Sequence, residues 1–123
     1  ASQHTSVVDL AMDLIEGQVQ RVSQDAPSWA ALFLLERQIS APDAYRKHYD
    51  QFVALWTQAL APALTEFPSS EIQAAARTIH GVVYGLVSQE LITMGSQADL
   101  LGLGVRIKTL IRQYLLSILC SAA

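Results

Sequence analysis

The chain has 123 residues and a mass of 13.4 kDa, the size of one domain with its own core. Hydrophobic residues make up 51% and charged residues only 15%, which excludes an intrinsically disordered chain and leaves apolar surface for a ligand or a partner. The net charge of −3 lacks the basic footprint of a nucleic-acid binder, and the single cysteine, Cys120, excludes an intrachain disulfide or a cysteine-rich zinc site.

Mean hydropathy is +0.27, yet no uncharged stretch reaches the roughly 18 residues that a membrane span requires. The longest, Gln51 to Thr65, carries Gln58 and Pro62. No basic segment followed by an apolar block opens the chain, so no signal peptide is expected. These features predict a soluble, cytoplasmic domain without a membrane partner.

Breaks fall at Asp25-Ala26-Pro27, Ser40-Ala41-Pro42, Phe67-Pro68-Ser69 and Gly95-Ser96, and the apolar spacing between them is helical. The chain therefore reads as an all-α, five-helix bundle. The first helix runs from about Ser6 to Gln24, with Thr5 or Ser6 as its cap and Val8, Ala11, Met12, Ile15, Val19 and Val22 on one face. The second, about Ser28 to Ile39, is apolar nearly all round, a pattern that predicts burial on more than one side. The third spans about Ala41 to Glu66. Ser40 and Asp43 resemble a capping box at its start, and Pro62 is expected to kink it. Tyr45, Tyr49, Phe52, Val53, Trp56, Leu60 and Ala63 form its stripe.

The fourth helix, about Ser70 to Met94, carries Ile72, Ala75, Ala76, Ile79, Val82, Val83, Leu86 and Val87 on its main face. A second stripe is small: Ala74, Thr78, Gly81, Gly85 and Ser88. Propensity also allows a short strand at Val82-Val83-Tyr84, but the helical spacing around it outweighs this. Gly95 is the expected stop. The fifth, about Ala98 to Leu119, presents Leu100, Leu103, Ile107, Leu110, Ile111, Tyr114 and Ile118, widened by Leu101, Val105, Leu115, Leu116 and Leu119.

Two long helices joined by a short loop pack antiparallel, so the last two predict a hairpin. Its apolar girth is covered either by the first three helices or by a second copy in a four-helix interface. The second reading places Gly81, Gly85, Ser88, Ile107, Ile111, Tyr114, Leu115 and Ile118 between the subunits of a homodimer.

This layout resembles the C-terminal regulatory half of a TetR-type bacterial transcription repressor. The resemblance is carried by the segment from Pro27 to Arg37, by Ser40-Ala41-Pro42 opening an aromatic helix, by Ala74-Ala75-Ala76 and the Gly81-to-Gly85 segment, and by the closing amphipathic helix. It implies a helical bundle that binds a small ligand inside and dimerises through its last two helices. The family reads DNA with an N-terminal helix-turn-helix of roughly fifty residues, and nothing before Ser6 supplies one. DNA is thus an expected partner only through a domain outside this chain.

Seven of the nine aromatic residues lie between Trp29 and Phe67. Such a stripe is either plain core or the wall of a pocket for an apolar or aromatic effector. The resemblance implies the pocket, with Trp29, Phe33, Glu36, Tyr49, Phe52, Trp56, His80 and Tyr84 as its ligand-binding residues. His80 and Tyr84, four apart, are either a satisfied core pair or point into that cavity. Glu36 pairs with a base such as Arg77 or hydrogen-bonds the ligand. Glu90 lies on an otherwise apolar line, where it is either buried and paired or solvated near the helix end. The histidines His4, His48 and His80 have no i, i+4 partner, so no metal is expected. No nucleophile motif, P-loop or paired-carboxylate pattern is present, so neither catalysis nor a cofactor is expected. The alternative to a sensor domain is a helical protein-interaction module that docks its apolar hairpin on a different partner.

Overall fold

The computed structural model describes the backbone of residues 2–38 and 43–121 and the side chains of residues 7–36 and 45–121. The described residues form α1 (Ser2–Gln24), α2 (Ala26–Gln38), α3 (Asp43–Leu60), α4 (Ser69–Met94) and α5 (Leu100–Ser121), with no strand among them. Val82-Val83-Tyr84 is helical, within α4. The expected capping box at Ser40, the end at Ile39, and Ala41 and Pro42 lie outside the described residues, as does the side chain of Asp43.

Local chemistry sets the helix ends, and several differ from expectation. α1 begins at Ser2, so the backbone of Thr5 and Ser6 is inside the helix rather than at its cap. α2 begins at Ala26, because Pro27 fits a first turn, where its missing N–H has no helical acceptor to lose. The expected kink at Pro62 is instead a helix end. Pro62 cannot donate to Gln58, so α3 stops at Leu60 and tightens into a 3₁₀ turn, Ala61–Ala63. Leu64 closes the turn by donating to Leu60 O at 3.1 Å and Ala61 O at 3.3 Å.

Gly95 ends α4 with φ of 57°, and its N–H donates to Leu91 O. The start of α5 is capped twice. Asp99 Oδ1 accepts from Gly102 N at 3.0 Å, and Glu90 Oε2 accepts from Asp99 N at 3.0 Å. Glu90 therefore spends its carboxylate on the α4–α5 connection.

α1 packs chiefly on α5 and α3 on α4, while α2 and α5 also contact α4. The interior is built on Ile15, Trp56, Leu60, Leu64, Ile79, Ile107, Ile111 and Leu115, all essentially inaccessible. Gly104 lets α1 approach α5 closely, since a Cβ there would lie 3.3 Å from Val19 Cγ1. Beside this contact Lys108 Nζ donates to Glu16 Oε2 at 2.6 Å, and that hydrogen bond and charge hold the Glu16 carboxyl below the usual carboxylate range. At the other end of the bundle, Glu71, Ile72 and Ala75 near the start of α4 line one cleft with Tyr114, Ile118 and Ser121 at the end of α5.

One burial expectation is corrected. α2 is not buried on several sides: Phe33 is buried, but Leu34 and Leu35 are exposed, because α2 rests mainly on α4 and only one side of it is covered. Ser88, Ile107, Ile111 and Leu115, expected between two subunits, are at most 1% exposed within the single chain. Packing of α1 and α4 on α5 draws that face of α5 into the chain's own core. Of the other residues expected there, Gly81 is exposed, Gly85, Tyr114 and Ile118 are half-buried, and the space a Cβ would take at Gly81 or Gly85 is open. The apolar surface that α5 leaves uncovered is Leu101, Val105, Leu110 and Leu116, with Leu101 70% exposed.

Candidate functional site

Four helices each turn one helical face toward a shared cavity of ≈ 280 Å³. α2 supplies Trp29, Leu32, Phe33 and Glu36, spaced as one stripe. α3 supplies Tyr45, His48, Tyr49, Gln51 and Phe52. α4 supplies His80, Val83, Tyr84 and Val87, and α1 closes the wall with Gln18, Arg21 and Val22. Arg21, Tyr45, His48 and Gln51 are themselves exposed and form the rim.

The aromatic rings form a connected wall. Tyr84 meets Phe33 edge-on at 5.2 Å between ring centroids and Tyr45 edge-on at 5.7 Å. Trp29 continues the row beyond Phe33 at 5.9 Å, and Tyr45 stacks toward Tyr49 at 6.3 Å. The His80 imidazole lies parallel to Phe52 at 5.1 Å and edge-on to Tyr49 at 5.6 Å. Edge-to-face and offset geometries of this kind are favourable for aromatic quadrupoles.

The polar groups converge on Glu36. Tyr84 Oη donates to Glu36 Oε2 at 2.6 Å, and His48 Nδ1 lies 3.4 Å from Oε1, an ion pair when His48 is protonated. The Glu36 side chain is only 9% exposed. Arg77, a candidate partner for Glu36, instead donates from Nε to Tyr49 Oη at 2.8 Å. Desolvation foremost, then the negative charge of Glu36 and the neighbouring Tyr49, push the Tyr45 phenol above its ordinary pKa, which keeps its proton in place. Burial lowers the pKa of His80, so its neutral form is favoured in the wall. Gln18 Nε2 is buried without a hydrogen-bond partner. Among the described residues no three His, Cys, Asp or Glu side chains gather as a metal ion would require.

Of the residues expected to bind ligand, Trp29, Phe33, Glu36, Tyr49, Phe52, His80 and Tyr84 line this cavity together. Trp56 does not. One turn beyond Phe52 its stripe has passed into the core, where Trp56 is 0% exposed and its Nε1 has no acceptor. Tyr45 and His48 join the lining, outside the set that the sequence predicts. Tyr45 was legible, standing four residues before Tyr49 on the same stripe, whereas His48 lies beside the stripe and only tertiary packing brings it to Glu36. Gln18 carried a signal, standing three residues after Ile15 and four before Val22, whereas Arg21 lies off that face and had none.

Comparison with protein-family models, with curated proteins and with solved structures finds no match to this chain.

Proposed function

We propose that this chain is the effector-sensing and dimerisation domain of a bacterial transcriptional repressor of the TetR type. A small ligand with an apolar or aromatic body enters the cavity among α1, α2, α3 and α4, and its differential affinity for two arrangements of the bundle shifts the geometry of a homodimer. DNA is read by an N-terminal domain outside this chain, in the cytoplasm. The observation that carries the reading is the cavity itself: an aromatic wall holding a few placed polar groups, at a volume of ≈ 280 Å³ suited to a small molecule.

Dimerisation would use the apolar surface that α4 and α5 leave uncovered within the chain. α4 and α5 form an antiparallel hairpin, a reading supported by the Glu90–Asp99 bond at one end and the shared cleft of Ile72 and Ile118 at the other. Leu101, Val105 and Leu116 remain uncovered along one flank of α5, with Leu110 on the opposite flank, and Gly81 is exposed on α4. An uncovered apolar strip of this kind suits burial against a second copy.

The test has two arms. Native mass spectrometry with a panel of small aromatic compounds is expected to find one bound per chain. Light scattering is expected to report twice 13.4 kDa. A ligand-free monomer at high concentration overturns the sensor reading. Self-association failing while a different protein docks on Leu101 and Leu116 would favour the protein-interaction module, to which the same exposed strip is suited.

A further inference from the structure

Resting on the reading of the cavity as a ligand site, we propose that its ligand is an organic cation, an amine or quaternary ammonium carried on an apolar body, with Glu36 as the counter-charge.

The inference starts from the cost of Glu36. A carboxylate on a side chain only 9% exposed is expensive unless its charge is paired and its lone pairs are occupied. A carboxylate offers about four acceptor positions. Tyr84 occupies one, and the contact with His48 at 3.4 Å is long. Among the described residues Glu36 has no other ion pair, and His48 is a cation only when protonated. The Arg77 guanidinium, which could have neutralised it, is held by Tyr49 instead.

The surroundings of the carboxylate have the opposite character to an anion site. Phe33 and Tyr45 each meet the Tyr84 ring edge-on, at 85° and 68°, and Tyr84 carries the hydroxyl that donates to Glu36 Oε2, so the carboxylate sits at the end of an aromatic cluster. The faces of such rings are electron-rich and attract ammonium groups, most strongly where water is excluded. Among the described residues Arg21 is the only Lys or Arg that lines the cavity, and it is exposed at the rim.

Electrostatics then ranks the ligand classes. An anion entering the cavity meets Glu36 at low dielectric. A neutral apolar ligand strips remaining water from the carboxylate and returns nothing to it. A cation supplies the missing charge partner and uses the ring faces as well. Trp29 and Phe52, farther along the wall, would cover the apolar body.

Three probes of one shape separate these classes: phenyltrimethylammonium, its neutral isostere tert-butylbenzene, and the anion benzenesulfonate. Binding is followed by tryptophan fluorescence on the wild-type chain and on Glu36→Gln. The expected result is phenyltrimethylammonium at least tenfold tighter than tert-butylbenzene, benzenesulfonate weakest, and the cation's advantage lost in Glu36→Gln while tert-butylbenzene changes less than twofold. Should tert-butylbenzene or benzenesulfonate match or exceed the cation, the cation assignment falls and the cavity reading stands. Should no probe bind, the cavity reading falls and takes the assignment with it. A cation preference that survives Glu36→Gln removes Glu36 as the counter-charge and overturns the proposal as stated. If Glu36→Gln does not fold, the ranking of the three probes on the wild-type chain decides.

Discussion

The Tyr84 hydroxyl donates to Glu36 Oε2 at 2.6 Å across a sequence separation of 48 residues, tying the middle of α4 to the exposed-sided helix α2. Charge-assisted hydrogen bonds of this length are roughly twice as strong as neutral ones. Among the described residues of α2, Phe33 is the one buried large side chain, Trp29 is half-buried, and Leu34 and Leu35 face outward.

Tyr84→Phe is therefore expected to weaken the domain by about 1.5–3 kcal/mol, the range for losing a hydrogen bond to a charged group. Urea unfolding followed by circular dichroism measures it. Amide exchange is expected to quicken in α2 before it does in α5. Uniform loss of protection across all helices would mean that the bond does not anchor α2 in particular.

Two glycine substitutions should part company. Gly17 lies on the exposed side of α1 with open space around it, so Gly17→Ala gains about 0.8–1 kcal/mol from helix propensity alone. Gly104→Ala has the same propensity gain, but its Cβ meets Val19 Cγ1 at 3.3 Å in the α1–α5 contact, where β-branched Val19 has little freedom to move. Its net effect is expected at zero or below, down to about −1 kcal/mol from overpacking. Thermal melting of both variants decides; a stabilised Gly104→Ala would show that α1 and α5 are looser than the packing implies.

Capping at the α4–α5 connection makes a third prediction. Asp99→Ala removes the acceptor for Gly102 N and is expected to cost about 1 kcal/mol. Glu90→Gln keeps an acceptor for Asp99 N and should cost less than Glu90→Ala. Equal losses for the two Glu90 variants would show that the oxygen at this position is not used as a cap.

Stability should fall as acid is added, and His80 supplies part of the slope. Its folded pKa is depressed by burial below the ordinary 6.5, so the unfolded chain binds the proton first. The contribution is complete above about pH 6.5 and is lost as pH falls through the lower folded value. His80→Phe keeps a ring against Phe52 and Tyr49 but cannot titrate, and it is expected to flatten the stability profile as pH falls below about 6.5. An unchanged slope in that window would assign the acid sensitivity to other groups. Glu16, whose carboxyl is held low by Lys108, acts at more acid pH, again losing its contribution as pH falls.

Much of the fold is legible in the residue order. Periodicity of 3.6 marks a helix whenever one face is apolar, and so α1 and α4 follow from Val8, Ile15, Val19, Ile79 and Val83. The aromatic residues clustered in sequence are also mostly clustered in space, because Trp29–Phe33 and Tyr49–Phe52 lie on single helical faces. Pro62 showed that α3 is interrupted near there, but the choice between a kink and an end depends on whether the following residues find packing for a further helix. Ala63 and Leu64 are buried in a turn instead.

From residue order alone came an all-helical chain, its five segments and an aromatic set with Glu36, His80 and Tyr84 attached. These are properties of local spacing, which a helix converts directly into faces. Tertiary structure alone decided which broad apolar face is covered from within. It put Ile107, Ile111 and Leu115 in the core and left Leu101, Val105 and Leu116 in solvent. It also separated Trp56 from the cavity and carried His48 to Glu36. A face apolar for most of its circumference has no preferred direction of its own, and only the competing neighbours, α1 against any second chain, determine which part of it meets water.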